Sequence, residues 1–215
     1  MKNYFVNTPQ LIKLFYFNRI WNFSRKKKEL YLTFDDGPTP EITNWVLTEL
    51  DKYNAKATFF CLGKNISSHP QIFKKIIDKK HSIGNHTFNH LNGSKSDVIT
   101  YIEDVIKTQN IIEENAGPKT QNTKLFRPPY GRLTPKQAKK IRKLDYKVVM
   151  WDILSADFDQ SISPEKCLSN VIKSVKRGSI IVFHDSIKAK QNLQFVLPQI
   201  LEYYHKRGCK FKAIN

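Results

Sequence analysis

Short apolar runs alternate along this sequence with longer stretches of helical period, and that alternation restricts the fold more than any other feature. From residue 29 onward the runs are 30–34, 57–62, 83–86, 125–127, 147–153, 179–184 and 211–214. Between them, six stretches repeat apolar residues at three- and four-residue steps, as in Val46, Leu47, Leu50 and Tyr53, or Val196, Leu197, Ile200, Leu201 and Tyr204. Such a repeat marks one buried helix face. Pro40, Pro70, Pro135 and Pro164 stand near predicted helix starts, where a missing N–H costs nothing. Gly117, Gly178 and Gly208 stand just past predicted helix ends. Seven strands alternating with six helices predict one α/β domain over 29–215, its parallel strands joined by crossover helices. Periodicity does not separate an open doubly wound sheet from a closed barrel, but in both the ligand sites lie at the carboxyl ends of the strands.

Forty per cent hydrophobic and 12% aromatic residues exclude a disordered chain. Thirty-six Lys and Arg against nineteen Asp and Glu leave +17, which suits an anionic partner or solubility alone. No RNA- or DNA-binding module accompanies the charge, so nucleic acid is not expected as a partner. Cys61, Cys167 and Cys209 are odd in number and lack metal spacing, which points to a reducing compartment. Residues 1–28 form an aromatic and basic segment expected to pack on the domain. Its apolar stretch at 11–21 is interrupted by Lys13 and Arg19 and falls short of the roughly 18 apolar residues of a membrane span. No small-residue cleavage site follows before Arg25. A cytoplasmic location is therefore expected, with export or membrane-surface contact through this segment as the alternative.

The strand ends carry the chemistry. The first run ends in Thr33-Phe34-Asp35-Asp36-Gly37-Pro38. A turn needs one carboxylate, not two that repel; a cation on one Asp leaves the other free to handle protons. The third run leads into His86-Thr87-Phe88-Asn89-His90, and one helical turn there would bring both imidazoles to one ion. Asp36, His86 and His90 then make a two-His, one-carboxylate set with positions open for water and substrate. The fourth run ends in Arg127-Pro128-Pro129-Tyr130, where prolines hold the backbone rigid and Arg127 supplies a permanent charge. The fifth brings Trp151, which reads first as core and second as a substrate wall, and Asp157, which either holds Arg127 or caps its loop. The sixth delivers His184, a second proton-transfer group, which amide hydrolysis needs because the amine must be protonated to leave.

In this order the motifs resemble the polysaccharide deacetylase family, the NodB-homology domain of the carbohydrate esterases, over roughly residues 29–214. The resemblance implies a distorted (β/α)7 barrel and removal of N-acetyl, sometimes O-acetyl, groups from a sugar polymer. It implies Asp35 as catalytic base, Asp36, His86 and His90 as metal ligands, Arg127 as the group orienting the base, the Tyr130 N–H as oxyanion donor, and His184 as general acid. The ion implied is divalent, with Zn²⁺ first and Co²⁺, Mn²⁺, Fe²⁺ or Ni²⁺ also suited. Phe158 stands where the family commonly has Trp, and Val182 where it has Leu, so the groove wall departs from the pattern. The expected partner is an acetylated glycan, acted on by a monomer. A hydrolase of small acetylated metabolites on the same barrel is the second reading, and a binder of nucleic acid or another anionic polymer the third.

Overall fold

In a computed structural model, residues 4–117 and 124–215 are described; residues 1–3 of the N-terminal segment lie outside them. The strand β1 (Glu29–Asp35) is buried at six of its seven positions, as a parallel strand covered on both faces must be. Around it stand β2 (Ala57–Cys61), β3 (Ser82–Asn85), β4 (Leu125–Phe126), β5 (Lys147–Val148), β6 (Ile153–Leu154), β7 (Ile180–His184) and β8 (Lys210–Phe211). All named pairings are parallel, in the order β5-β4-β3-β2-β1-β7-β6, with β8 beside the start of β1. The last predicted run, 211–214, thus contributes only a short wedge.

The helices are α1 (Gln10–Phe15), α2 (Ile42–Asp51), α3 (Gly63–Ser68), α4 (Pro70–Asp78), α5 (Val98–Ala116), α6 (Pro135–Lys143), α7 (Pro164–Ile172) and α8 (Lys190–His205). Pro70, Pro135 and Pro164 occupy first turns. Val46, Leu47 and Leu50 of α2 and Val196, Leu197, Ile200 and Leu201 of α8 are buried in one cluster with Leu32, Phe34, Ile181 and Phe183. Thr134 begins α6 with a capping box to Gln137.

The single run expected over 147–153 is two strands, because the chain there changes partner. Val149 N–H donates to Phe126 on one side, while Asp152 N–H donates to Ile180 on the other. This crossing closes the curled sheet into a distorted (β/α) barrel. The N-terminal segment fills the join: Ile20 N–H donates to Val148, Met150 N–H to Ile20, Leu154 N–H to Val6, and Phe23 N–H to Gly178. Gly178, at φ 72°, cannot carry a side chain, since a Cβ would lie 2.4 Å from the Phe23 carbonyl oxygen. Among the described residues no helix is long and apolar enough to cross a membrane.

Candidate active and metal site

Asp36 follows β1 in the left-handed region (φ 82°), its carbonyl accepting from Asn65 Nδ2 at 2.7 Å. The next residue is clamped by Asp185, whose Oδ1 accepts the Gly37 N–H at 3.0 Å and whose Oδ2 accepts the Thr43 hydroxyl at 2.5 Å. A Cβ on Gly37 would lie 2.0 Å from Asp185 Oδ2, so only glycine fits. Burial, with the charge of Asp36 adding to it, pushes the Asp185 carboxyl up to about 8 against the Thr43 hydroxyl.

The helical turn expected to carry His86 and His90 is absent; both sit on a loop after β3. Asp104 of α5 pins that loop. Its Oδ2 accepts the N–H groups of Phe88 (2.6 Å) and Asn89 (3.0 Å), and its Oδ1 accepts Asn89 Nδ2 (2.7 Å). Thr87 (φ 68°) and His90 (φ 59°) adopt the left-handed region that non-glycine residues seldom occupy, which breaks a helical turn there. The imidazoles converge nonetheless. Nε2 of His86 lies 3.8 Å and Nε2 of His90 3.2 Å from Asp36 Oδ1, and the three ligand atoms lie within 4.8 Å of one another.

These residues fit a divalent cation. His86 Nδ1 donates to the Arg127 carbonyl at 2.7 Å, which turns the lone pair of Nε2 toward Asp36. Burial lowers the pKa of His86 to about 4, so the ring is neutral, as a ligand must be. Asp36 Oδ1 is buried and accepts no hydrogen bond among the described residues. Burial alone would raise the carboxyl of Asp36, but His90, His184 and His86 outweigh it and hold the group well below the usual carboxylate range.

On one flank is Asp35, buried, with Oδ1 accepting Arg127 Nη1 at 2.7 Å. The fully buried guanidinium also donates from Nη1 to Thr33 Oγ1 (2.7 Å), from Nη2 to the Met150 carbonyl (3.0 Å) and from Nε to that of Val149 (3.3 Å). It lies over the Phe60 ring, 4.1 Å from its centroid. On the other flank is His184, paired with Asp35 in the β1–β7 register. Asp157 does not hold Arg127. Its Oδ1 lies 2.8 Å from His184 Nδ1 and its Oδ2 accepts the His184 N–H at 2.8 Å, because the loop after β6 rises beside β7 and not beside β4. Burial acts to lower His184, yet the charge and hydrogen bond of Asp157 overcome it and raise the imidazole to about 9.

Tyr130 sits at φ 58° after the buried prolines Pro128 and Pro129, its ring 4.6 Å from that of His90. Its side chain is 62% exposed, and its N–H donates to no acceptor among the described residues. Trp151 is half-buried and backs this turn: a Cβ on Gly131 would lie 2.8 Å from its ring. Phe158 meets the His184 ring edge-on at 5.0 Å and in turn packs against Tyr4 at 5.4 Å. Sequence reasoning gave no role to Asp104, Asn65 or Asp185. The first carries a readable signal, an acid on the buried face of α5 between Tyr101 and Val105.

The model of the family described as polysaccharide deacetylase matches residues 23–149. The chain belongs to the polysaccharide deacetylase family. This deacetylase is 35% identical over 189 residues, 87% of its length and 67% of the relative's, to a peptidoglycan-N-acetylglucosamine deacetylase of Bacillus cereus. It is 32% identical over 182 residues, 80% of its length and 55% of the relative's, to chitin deacetylase 2 of Saccharomyces cerevisiae. A crystal structure of a peptidoglycan N-acetylglucosamine deacetylase in complex with 4-naphthalen-1-yl-N-oxidanyl-benzamide superposes with a TM-score of 0.87 at 32% identity, covering 96% of this chain and 95% of that one. The deacetylase is a hydrolase whose barrel is of the NodB-homology type, and its Asp36, His86 and His90 form a site able to hold a divalent ion.

Proposed function

We propose that the enzyme removes N-acetyl groups from N-acetylglucosamine-containing glycans of the peptidoglycan or chitin-oligomer type, releasing acetate. One observation carries this reading: the Asp36–His86–His90 cluster lies between a carboxylate held by Arg127 and an imidazole held by Asp157. Similarity to the bacterial and yeast deacetylases supports the substrate class. Asp36, His86 and His90 would hold the ion, and Zn²⁺ is the metal we assign, since two His and one Asp suit it with a position left open. When bound, such an ion lowers the pKa of a water toward about 7 and polarises a carbonyl oxygen.

The remaining steps belong to the side chains. Asp35, kept in place by the Arg127 guanidinium, takes a proton from the water attacking the acetamide carbon. The Tyr130 N–H donates to the oxyanion of the tetrahedral intermediate, where a fixed dipole is most effective. His184, charged at neutral pH and oriented through Nδ1 by Asp157, gives its Nε2 proton to the departing amine. Acetate and a glucosamine-type amine result. Every one of these groups comes from a single chain, and we take the monomer as the working unit.

Acetate release from chito-oligomers, peptidoglycan glycan and small N-acetyl compounds, measured after chelation and on return of Zn²⁺, tests the proposal. Zn²⁺-dependent turnover of the glycans is expected. Full activity in the chelated protein refutes the metal site, and turnover confined to small compounds moves the substrate to acetylated metabolites.

A further inference from the structure

Six of the eleven large apolar side chains that the described residues expose lie between residues 5 and 17: Phe5, Leu11, Leu14, Phe15, Tyr16 and Phe17. Phe15 is 81% and Phe17 83% exposed. α1 is turned inside out. Leu11, Leu14 and Phe15, one helical stripe, face solvent, while Lys13 reaches inward to pair with Asp152, and none of the helix is buried. The backbone beneath is held firmly. Thr8 donates from its N–H to the Asp152 carbonyl (3.0 Å) and from Oγ1 to that of Trp151 (2.8 Å), and Trp21 Nε1 donates to the Tyr16 carbonyl (3.0 Å). An apolar patch kept in the open by a fixed scaffold is an interaction surface.

Charge identifies what covers it. Ile12 packs against the cluster that includes Ile141 of α6. That helix contains no acid and exposes Lys136, Lys139, Lys140, Arg142 and Lys143. Past the patch, Lys26-Lys27-Lys28 is exposed as well, while Arg25 is held by Asp152. A second copy of this chain would bring two strongly basic rims together. A bilayer carrying anionic headgroups offers the complement of both parts: an apolar boundary for the rings and phosphates for the lysines. We propose that this face docks on an anionic lipid surface. The segment runs from Tyr4, which packs on Phe158 beside His184, to Phe23, against Gly178 just ahead of β7 at the other end of the strands, so docking covers a flank of the barrel.

Co-sedimentation of the full chain with vesicles of phosphatidylglycerol and phosphatidylcholine in equal parts tests this, with pure phosphatidylcholine vesicles as the comparison. The protein is expected to pellet with the mixed vesicles at low salt, to be released by high salt, and to stay in solution with phosphatidylcholine alone. Phe15→Ser with Phe17→Ser is expected to weaken vesicle association by about tenfold or more, with turnover of a soluble chito-oligomer unchanged. Lys139→Glu with Lys140→Glu, which leaves the aromatic segment intact, is expected to weaken it too. Failure to pellet with the mixed vesicles, equal pelleting with both kinds, or a wild-type dimer that the double Ser variant turns into a monomer would overturn the proposal.

Discussion

Asp157→Asn isolates the acid half of the site. In the wild type, burial works against a charged His184, and the Asp157 carboxylate at 2.8 Å reverses that effect and sets its pKa at about 9 in place of 6.5. Asparagine keeps the shape and removes the charge, so burial is opposed only by Asp36 and Asp35 and the imidazole falls from about 9. A return to the ordinary 6.5 would take the protonated fraction at about pH 8 from roughly nine-tenths to roughly one-thirtieth, which sets about 30-fold as the scale of the loss in acid-dependent rate. Stability supplies a second readout. A rise of about 2.5 pH units, at about 1.36 kcal/mol each, is worth on the order of 3 kcal/mol. Because the folded value lies above the unfolded one, this stabilisation is complete below about pH 6.5 and disappears as the pH climbs through about 9. The gap between wild type and variant in urea unfolding should therefore be widest near pH 6 and narrow toward pH 10, by approximate position on that curve. NMR titration of His184 in the metal-free protein, with the pH–rate profile of the Zn²⁺-loaded one, measures both. A His184 still titrating near 9 in the variant, or a stability gap flat across that range, refutes the reasoning.

His86→Ala is expected to abolish tight metal binding and turnover together, whereas His184→Ala keeps the metal and loses about 10²- to 10⁴-fold in rate, as metal analysis beside acetate release would show. Arg127→Met leaves the buried Asp35 carboxylate without its partner and should cost about 3–5 kcal/mol in urea unfolding followed by tryptophan fluorescence; a wild-type midpoint would contradict the pairing. Gly37→Ala drives a methyl into Asp185 and should cost about 1–3 kcal/mol or more in a thermal melt. Asp104→Ala releases the Phe88 and Asn89 N–H groups, so Zn²⁺ affinity measured by competition with a chelator should fall by about 10- to 100-fold with the fold retained.

What could be read from the sequence was whatever depends on local period. Leu32 and Phe34, or Leu197 and Ile200, declare a buried strand or helix face without reference to anything distant. The motifs at strand ends were legible for the same reason, since a parallel α/β layout already brings those ends together. Partner choice was not. Whether Asp157 faces Arg127 or His184 depends on which neighbours β6 finds in space, and the split of 147–153 depends on Phe126 and Ile180, neither near it in the chain. α3 escaped notice because its one large apolar residue, Ile66, makes no repeat. The loop that presents His86 and His90 is pinned by Asp104, whose pull on the backbone no helix-period count registers.

The N-terminal strap also has a temporal meaning. Tyr4 bonds to Asp159, 155 residues downstream, and a ribosome adding about 5–20 residues per second needs roughly 8–30 s to deliver that partner. During this interval the first aromatic residues are already made and have no seam to occupy. Barrel closure therefore comes late in synthesis, and a nascent chain stalled before Asp159 would hold an open sheet edge with its own cover still waiting.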